Sequence, residues 1–471
     1  MAKSRSTIEV IPSASRLIRS LRDVGYDFVH AVADLVDNSI AAKATEVAIE
    51  LRFDGEDSWV RVVDNGTGMS GTTITEAMRF GSERDYAPDD LGKFGLGLKT
   101  ASLSQCSRLT VASRTDPASR KIEARQWDLA HVEKANRWEI IDLSADERPH
   151  VLTEPLQERR GTVVLWEWLD RVLGYKIPWG DKARTGFLRT AEQLDEHLGM
   201  VFHRFLSGEA RWRKKVKITI NSTVVRPWDP FAREEKATIP FDQREFDVPA
   251  DGGRGLVRYA AYVLPHQDRF STPRAFNHYA GPSKWNYQQG FYIYRADRMI
   301  QSGGWCYMRT CDEHTKLARV ALDFLPDLDS AFELNVSKAR VNLPADLKNQ
   351  MKPHIENLVK QARKVYGSGP KAGTRLAVPV GGDDRGDPPP IDVENHSDGH
   401  HAGEKSRDRA PEPANGREDP PAIGAPLPPT RKRVGRAIES AAERIDETKA
   451  LNRIKQSLKE YDPEAANDIG W

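Results

Sequence analysis

The chain has 471 residues, which is enough for more than one domain with a buried core. Its 70 Lys and Arg residues nearly cancel its 69 Asp and Glu residues, which excludes an overall basic surface, so any contact with nucleic acid must be local. The lack of a signal-peptide pattern and of a bilayer-spanning apolar run, with only three cysteines, predicts a cytoplasmic protein without a membrane partner or a disulfide framework.

The first predicted domain, residues 1–206, mixes helices with strands. Apolar residues recur at helical spacing over residues 26–43, which predicts an amphipathic helix. A second helix is predicted over residues 184–206, at the end of this domain. Between the two helices, runs typical of strands occupy residues 46–53, 59–63, 108–114, 121–127, 138–143 and 162–168.

The second predicted domain, residues 207–366, is rich in strands. The run VKITINSTVV, which starts at Val216, predicts a hairpin that turns at Asn221 and Ser222. The run FYIYRADRMI at residues 291–300 is a further strand-like segment. A helix predicted over residues 344–366 ends the domain.

The composition changes sharply after the second domain. Residues 367–430 hold 12 of the 29 prolines and no aromatic residue, which predicts a disordered linker. Residues 431–465 place apolar side chains at mostly helical spacing, which predicts an amphipathic helix that binds a protein partner.

The segment DLVDNSIA places Asp34 and Asn38 one helical turn apart, on the side of the predicted helix opposite its apolar stripe. An amide oxygen at Asn38 can complete the oxygen shell of Mg²⁺, and a carboxylate at Asp34 can orient or deprotonate a water molecule. A solvated polar face is the alternative interpretation of this pair.

The segment DNGTGM follows a predicted strand that ends at Val63. Asp64 can accept a hydrogen bond from an exocyclic amine such as that of adenine. Gly66 and Gly68 allow unusual backbone conformations and let a flat ring approach the main chain. An ordinary corner between a strand and a turn is the alternative interpretation.

The segment GKFGLGLK at residues 92–99 is a glycine-rich loop that runs into a helical stretch. Free backbone N–H groups and the positive end of a helix form an anion site, to which Lys99 adds charge for phosphates. The segment fits neither the dinucleotide pattern G-x-G-x-x-G nor the ending of a P-loop. A flexible turn is the alternative.

In this order, the three segments resemble the GHKL superfamily of ATPases, which includes DNA gyrase B subunits, MutL, ninety-kilodalton heat-shock chaperones, histidine kinases and MORC proteins. GTVVLWEW, which starts at Gly161, resembles the family's fourth motif, a Gly-Thr at the start of a strand near the adenine. The resemblance implies an α+β protein with an N-terminal Bergerat-type α/β sandwich, a mixed sheet with helices on one face, and then a transducer-like α/β domain. It also implies ATP and Mg²⁺ as cofactors.

The resemblance assigns a role to each motif residue. Asp34 corresponds to the catalytic base and Asn38 to the magnesium ligand, while Thr162 corresponds to the threonine near the adenine. The residues that correspond to the adenine corner and the ATP lid are Asp64, Gly66, Gly68 and Met69, and Gly92, Lys93, Phe94, Gly95, Leu96, Gly97 and Lys99.

Asp34 departs from the family pattern, because most relatives that hydrolyse ATP have Glu there. Asp is one methylene shorter, and a misplacement of about one bond length can cost on the order of a hundredfold in rate. Hydrolysis is therefore expected to be slow unless the backbone compensates. Asp37 is a second carboxylate that could share the role.

The segment NVSKARVNLP resembles the loop of the transducer domain that supplies a lysine to the γ-phosphate, which makes Lys338 the second catalytic candidate. Four segments are most similar to MORC and its bacterial relatives, namely MRFGSERD, GKFGLGLKTAS, DPF and FYIYRADRMI. That similarity implies a homodimer gated by ATP that acts on DNA, with roles in defence or restriction-type systems.

Two basic clusters, RWRKKVK from Arg211 and RKRVGR from Arg431, can neutralise phosphates, although solvated faces are the alternative. Two other functions also remain open. One is a chaperone-like ATPase that acts on protein clients, and the other is a nucleotide-gated scaffold with little turnover.

Overall fold

The computed structural model describes residues 10–23, 26–81, 97–119, 121–175, 177–250, 253–334, 341–368 and 455–456. Residues 92–96 of the predicted lid, Lys338 and nearly all of the predicted linker and C-terminal helix lie outside these ranges. Among the described residues, no helix has the length and apolar character needed to cross a bilayer.

Helices and strands alternate in the first half of the described chain, and two sheets contain all the strands. The helices are α1 Ala14–Arg22, α2 Phe28–Ala41, α3 Gly71–Met78, α4 Gly97–Leu103, α5 Leu129–Ala135, α6 His150–Thr153, α7 Asp181–Val201, α8 His203–Ser207, α9 Pro273–Ala280, α10 Lys284–Tyr287 and α11 Ala345–Gly367. The strands are β1 Glu46–Arg52, β2 Trp59–Asp64, β3 Arg108–Arg114, β4 Glu123–Asp128, β5 Ile141–Asp142, β6 Gly161–Glu167, β7 Lys217–Ile220, β8 Thr223–Val224, β9 Ile239–Pro240, β10 Arg244–Ala250, β11 Gly253–Val263, β12 Gly290–Arg295, β13 Arg298–Ser302 and β14 Ala318–Phe324.

The first sheet has eight strands in the order β5-β4-β3-β6-β2-β1-β7-β8. All neighbouring pairs are antiparallel except β1 and β7, so the sheet is mixed. Side chains alternate between the faces of a strand, and in β2 Val60 and Val62 pack into a core with α2, α4 and α7 while Val63 packs on the opposite face. The long helices thus lie on one face, and the predicted α+β class with a mixed sheet is confirmed.

The hairpin at Asn221 and Ser222 forms as predicted, since both residues adopt left-handed backbone angles between β7 and β8. It does not belong to the second sheet, however. β7 pairs in parallel with β1, with Val47 opposite Ile218, so this part of the predicted second domain extends the first sheet. Ile218 and Ile220 are buried in the first core, which explains the placement.

The second sheet has the order β10-β11-β14-β12-β13, with β9 paired to β11. α11 packs across this sheet through Leu347, Met351 and Leu358, which are fully buried in the second core. Alternation again separates the faces of β12, because Phe291 and Ile293 enter this core while Tyr292 and Tyr294 face a smaller aromatic cluster.

Candidate functional site

α2 forms one wall of a large cavity in the first half of the chain. Asp27 begins the helix, since its carboxylate accepts a hydrogen bond from the backbone N–H of His30 at 2.9 Å. Asp34 is 4% exposed, whereas Asn38, one turn later, is exposed to solvent. Both line the cavity, so the helix presents a carboxylate and an amide to it, as the sequence predicts.

Asp34 lies in a polar pocket at the start of α4. The hydroxyl of Tyr26 is hydrogen-bonded to Asp34 and Thr100, and burial followed by the nearby Asp34 carboxylate raises the pKa of Tyr26 well above its usual range. A methyl group at Gly97 would lie 3.6 Å from Asp34 Oδ2, so the first residue of α4 faces this carboxylate closely. The first and third motifs therefore meet at Asp34.

Asp37 does not share the position of Asp34. It is 2% exposed, and Arg298 Nε from β13 lies 3.0 Å from its Oδ1 and 2.8 Å from its Oδ2. The same guanidinium places Nη2 3.9 Å from Asp34 Oδ1. The second sheet thus reaches the helix that carries the first motif, and Asp37 is used for this ion pair.

Asp64 lies at the end of β2, buried to 7% exposure. Its Oδ1 accepts the backbone N–H of Gly66 at 2.8 Å, and its Oδ2 accepts the hydroxyl of Ser39 at 3.1 Å. Burial raises the pKa of the Asp64 carboxyl above its usual value, while these bonds and one from the backbone N–H of Thr162 oppose the rise. The corner thus holds an oriented carboxylate beside the cavity.

Ser113 on β3 orients the hydroxyl of Thr162 on β6. Ser113 Oγ accepts the backbone N–H of Met69 at 2.8 Å and lies 2.8 Å from the carbonyl oxygen of Gly161, to which it donates. Because a serine hydroxyl has one proton, the contact of 3.0 Å with Thr162 Oγ1 is donated by the threonine. Thr162 then offers only lone pairs to the cavity.

Two glycines allow the corner and β6 to approach each other. Gly68 has a φ of +69°, and a side chain there would place its Cβ 2.2 Å from the carbonyl oxygen of Arg114. Gly161 has a φ of +144°, and its Cβ would lie 1.9 Å from the carbonyl oxygen of Asp64. Neither position admits another residue without a shift of the backbone.

Lys99 lines the cavity from α4. It is 2% exposed, and its Nζ donates to the carbonyl oxygen of Ala77 at 3.1 Å. Burial lowers the pKa of this ammonium to about 8, against a smaller upward effect of Glu76. A cation held in a poorly solvated place is stabilised by an anionic ligand, which agrees with the predicted phosphate contact.

The cavity brings together Asp34, Asn38, Asp64, Gly68, Met69, Gly97, Lys99 and Thr162 from segments that are far apart in the sequence. Gly66 supports Asp64 from the corner, while Gly92, Lys93, Phe94, Gly95, Leu96 and Lys338 lie outside the described residues. Apolar side chains complete the walls, among them Val111, Trp127 and Val164.

Four further residues contact the motif residues without a sequence motif of their own: Ser39, Ser113, Tyr26 and Arg298. Ser39 follows Asn38 directly and lies on the same helix as Asp34, so its proximity to the site could have been inferred. Ser113 and Arg298 reach the site only through strand pairing and domain packing, for which the sequence gives no local pattern.

A family profile described as histidine kinase-, DNA gyrase B-, and HSP90-like ATPase matches residues 26–162. This range contains all four motifs of the cavity. Residues 26–162 belong to the GHKL superfamily. The predicted superfamily is confirmed, and the finer similarity to MORC proteins stays a prediction.

Curated relatives of the chain include proteins named DNA mismatch repair protein MutL. The one from Pseudoalteromonas translucida is 28% identical over 270 residues, which are 55% of this chain and 39% of that protein. The one from Salmonella heidelberg is 29% identical over 208 residues, 43% of this chain and 29% of that protein. The chain thus spans well under half the length of these relatives.

Proposed function

We propose that this protein binds ATP with Mg²⁺ in the cavity beside α2 and hydrolyses it slowly as a conformational switch. The observation that carries the proposal is the placement of a buried acceptor corner at Asp64 and a carboxylate–amide pair at Asp34 and Asn38 around one cavity. The GHKL profile over the same residues supports it.

The corner suits adenine. Asp64 and Thr162 both present hydrogen-bond acceptors to the cavity. The Asp64 carboxylate is held by the backbone N–H of Gly66, and the Thr162 hydroxyl donates its proton to Ser113. An exocyclic amine can donate to Asp64, whereas the carbonyl oxygen that guanine carries at that place would face a carboxylate. An unpaired acceptor opposite a buried carboxylate costs several kcal/mol, about enough to exclude GTP.

The part of the cavity lined by Asn38, Asp34 and Lys99 suits the phosphates. Asn38 is exposed there on an otherwise buried stretch of helix, so its amide oxygen is available as a ligand for Mg²⁺, which would neutralise phosphate charge. Asp34 would orient the attacking water, and Lys99 would contact the phosphates from α4. Residues 92–97 would cover them, and Lys338 would complete the site from the second domain.

Slow turnover is part of the proposal. Asp34 is one methylene shorter than glutamate, so its carboxylate is set back by about one bond length. With still slower hydrolysis, the protein would act as a nucleotide-gated scaffold that binds ATP with little turnover.

We further propose that the switch is a homodimer closed by ATP that acts on DNA. The MutL relatives are named for mismatch repair, and the MORC-like motifs favour the same class of target. In RWRKKVK, Arg211 is engaged by Asp297, whereas Lys214 and Lys215 are exposed beside Trp212, which is 48% exposed. Such a cluster fits a phosphate backbone.

Two variants separate binding from turnover. Asp64→Asn replaces an acceptor of the adenine amine, so we expect ATP affinity to fall about tenfold to a hundredfold. Asp34→Asn keeps every contact with the base, so affinity should stay within about threefold while turnover falls on the order of a hundredfold or more. Calorimetric ATP titration and phosphate release in single turnovers measure the two effects.

Asp242→Asn is the control, because Asp242 is exposed on the second domain and should leave both quantities unchanged. Equal losses of binding and turnover in both site variants would contradict the assigned roles. Turnover that rises with DNA and falls steeply with salt supports DNA as the target, and turnover that rises only with unfolded protein favours the chaperone-like alternative.

A further inference from the structure

The hairpin between β12 and β13 carries three charged residues at its tip. Ala296 and Asp297 have φ values of 47° and 68°, which form a two-residue turn of the mirror-image type, with Arg295 paired to Arg298. Arg295, Asp297 and Arg298 are only 2–3% exposed, an unusual burial for three charges in four positions.

Each of these charges has a different partner. Arg295 pairs with Asp329 of its own domain, with Nε 2.6 Å from Oδ1. Asp297 accepts from Arg204 at 3.1 Å and from Arg211 at 3.0 Å, both of which follow α7 in the chain. Arg295 therefore pairs within its own domain, whereas Asp297 contacts Arg204 and Arg298 contacts Asp37 in the first domain.

Arg298 is the charge that reaches α2, the helix that lines the cavity. Its Nε contacts both carboxylate oxygens of Asp37 while its Nη2 lies 3.9 Å from Asp34 Oδ1. Asp34 and Asp37 lie one turn apart on α2, so a single planar cation spans both carboxylates. The centroid of the Phe202 ring lies 5.8 Å from the Cζ of the same guanidinium.

A buried ion pair is weak evidence for stability, since replacement by apolar groups is often neutral. The position of this pair is more informative than its strength. Asp37 precedes Asn38, so an ion pair at Asp37 fixes the rotation of the helical turn that carries the magnesium candidate. Asp34, the candidate that orients water, lies within reach of the same cation.

We propose that Arg298 is a positioning residue for ATP hydrolysis. It holds Asp37 and sets the orientation of Asp34, so turnover requires the β12–β13 hairpin to be docked on α2. The second domain thereby controls the chemistry through a described contact that is separate from Lys338. This inference rests on the proposed ATPase activity of the same site.

Arg298→Lys tests the proposal, because one ammonium can contact Asp37 but cannot also reach Asp34. We expect ATP affinity to stay within about threefold and the maximal rate to fall about tenfold to a hundredfold, a split that loss of packing alone does not produce. Arg298→Gln combined with Asp37→Asn removes the buried cation together with its nearest carboxylate, and it should show the same split in a folded protein.

Arg295→Lys is the matched control, since it weakens an equally buried pair in the same hairpin whose partner is Asp329 and not a residue of α2. It should lower the melting temperature and leave the maximal rate within about twofold of wild type. A twofold change in rate corresponds to a change in activation free energy well below about one kcal/mol. The proposal is wrong if Arg298→Lys and the double variant keep the wild-type rate, or if Arg295→Lys slows turnover as much.

The proposed function fails in a different way. If wild-type protein binds no ATP or Asp34→Asn turns over like wild type, the ATPase assignment itself falls, and with it the role of Arg298. If wild type turns over and Asp34→Asn does not, the comparison of Arg298→Lys with Arg295→Lys decides the role of Arg298 alone.

Discussion

We expect Lys99 to couple nucleotide binding to pH. Burial lowers the pKa of its ammonium to about 8 in the nucleotide-free protein. A triphosphate nearby favours the charged form and raises that pKa, so binding takes up protons near pH 8. ATP affinity should therefore be nearly constant below pH 8 and fall as the pH rises above it.

Calorimetric titrations in buffers of different ionisation enthalpy measure this proton uptake directly. Lys99→Met should bind ATP more weakly at pH 7 and lose the decline between pH 8 and 9. If wild type and Lys99→Met show the same pH dependence, Lys99 does not contact the phosphates.

The same shift has a consequence for folding. Lys99 has an ordinary pKa in the unfolded chain and a lower one in the folded protein, so the unfolded chain binds the proton more tightly. The free energy of unfolding is therefore lowered by the full amount below pH 8. The reduction disappears as the pH rises from 8 toward 10.5, the ordinary pKa of lysine. Lys99→Met removes this cost, which urea unfolding at pH 7 can detect.

Residues that lie close together in the sequence could be placed beside the cavity from their spacing. Contacts between residues far apart in the sequence could not be predicted. Asp34 and Asn38 are one turn apart, and Asp64 ends an apolar strand, so local geometry places them. Ser113 acts on Thr162 only because β3 and β6 pair in register. Arg298 lies 261 residues from Asp37, and an arginine in a strand-like run carries no mark of its partner.

The start of β6 is the element on which the corner at Asp64 depends. Asp64 on β2 is directly opposite Thr162, and the preceding Gly161 lies under the backbone of Asp64. In Gly161→Ala, the new methyl would lie 1.9 Å from the Asp64 carbonyl oxygen at a φ of +144°. We expect a loss of about 2–4 kcal/mol of unfolding free energy and weaker ATP binding.

Gly367→Ala is the control for this prediction. Gly367 ends α11, and nothing lies within 4 Å of the position that its Cβ would occupy. Alanine there should be neutral or stabilise by up to about 1 kcal/mol. Urea unfolding of both variants measures the difference, and a Gly161→Ala protein as stable as wild type would show that β2 and β6 can separate at this point.

Elements with a strong local pattern were predicted well, and those that depend on packing were not. β3 spans the predicted residues, and α2 and β6 differ from their predictions by one or two residues at each end. The run at residues 138–143 forms only β5, because its pairing with β4 is limited to Ile141 and Asp142. α1 was not predicted, since its nine residues depend on the burial of Ala14 and Ile18.

At the scale of the whole molecule, the parallel pairing of β1 with β7 joins segments about 170 residues apart, as the register of Val47 with Ile218 shows. Parallel pairing needs a long crossover, and no short-range signal specifies which strand comes back to the sheet edge. The first sheet therefore holds residues beyond the predicted boundary at residue 206, and the two sheets meet through the buried charges of the β12–β13 turn.

The proposed closure of a homodimer by ATP involves the surface beside the cavity. α1 borders the cavity beside α2 through Leu17 and Leu21, and Pro12 also lines it. Just before them, Val10 and Ile11 are 85% and 73% exposed. Two large apolar side chains exposed next to a ligand cavity are suited to a contact that forms when the ligand is bound. We therefore expect a non-hydrolysable ATP analogue to double the mass of the protein in solution, and ADP to leave it unchanged.

The variant Val10→Ser with Ile11→Ser should bind the analogue with unchanged affinity and remain a monomer, because it removes apolar area from the contact and nothing from the corner at Asp64. Leu188→Ser is the matched control, since Leu188 is 52% exposed on α7, and it should still dimerise. Sedimentation or light scattering with each nucleotide gives the masses. A wild-type protein that binds the analogue and stays monomeric would mean that the switch acts within one chain, through the hairpin docked on α2.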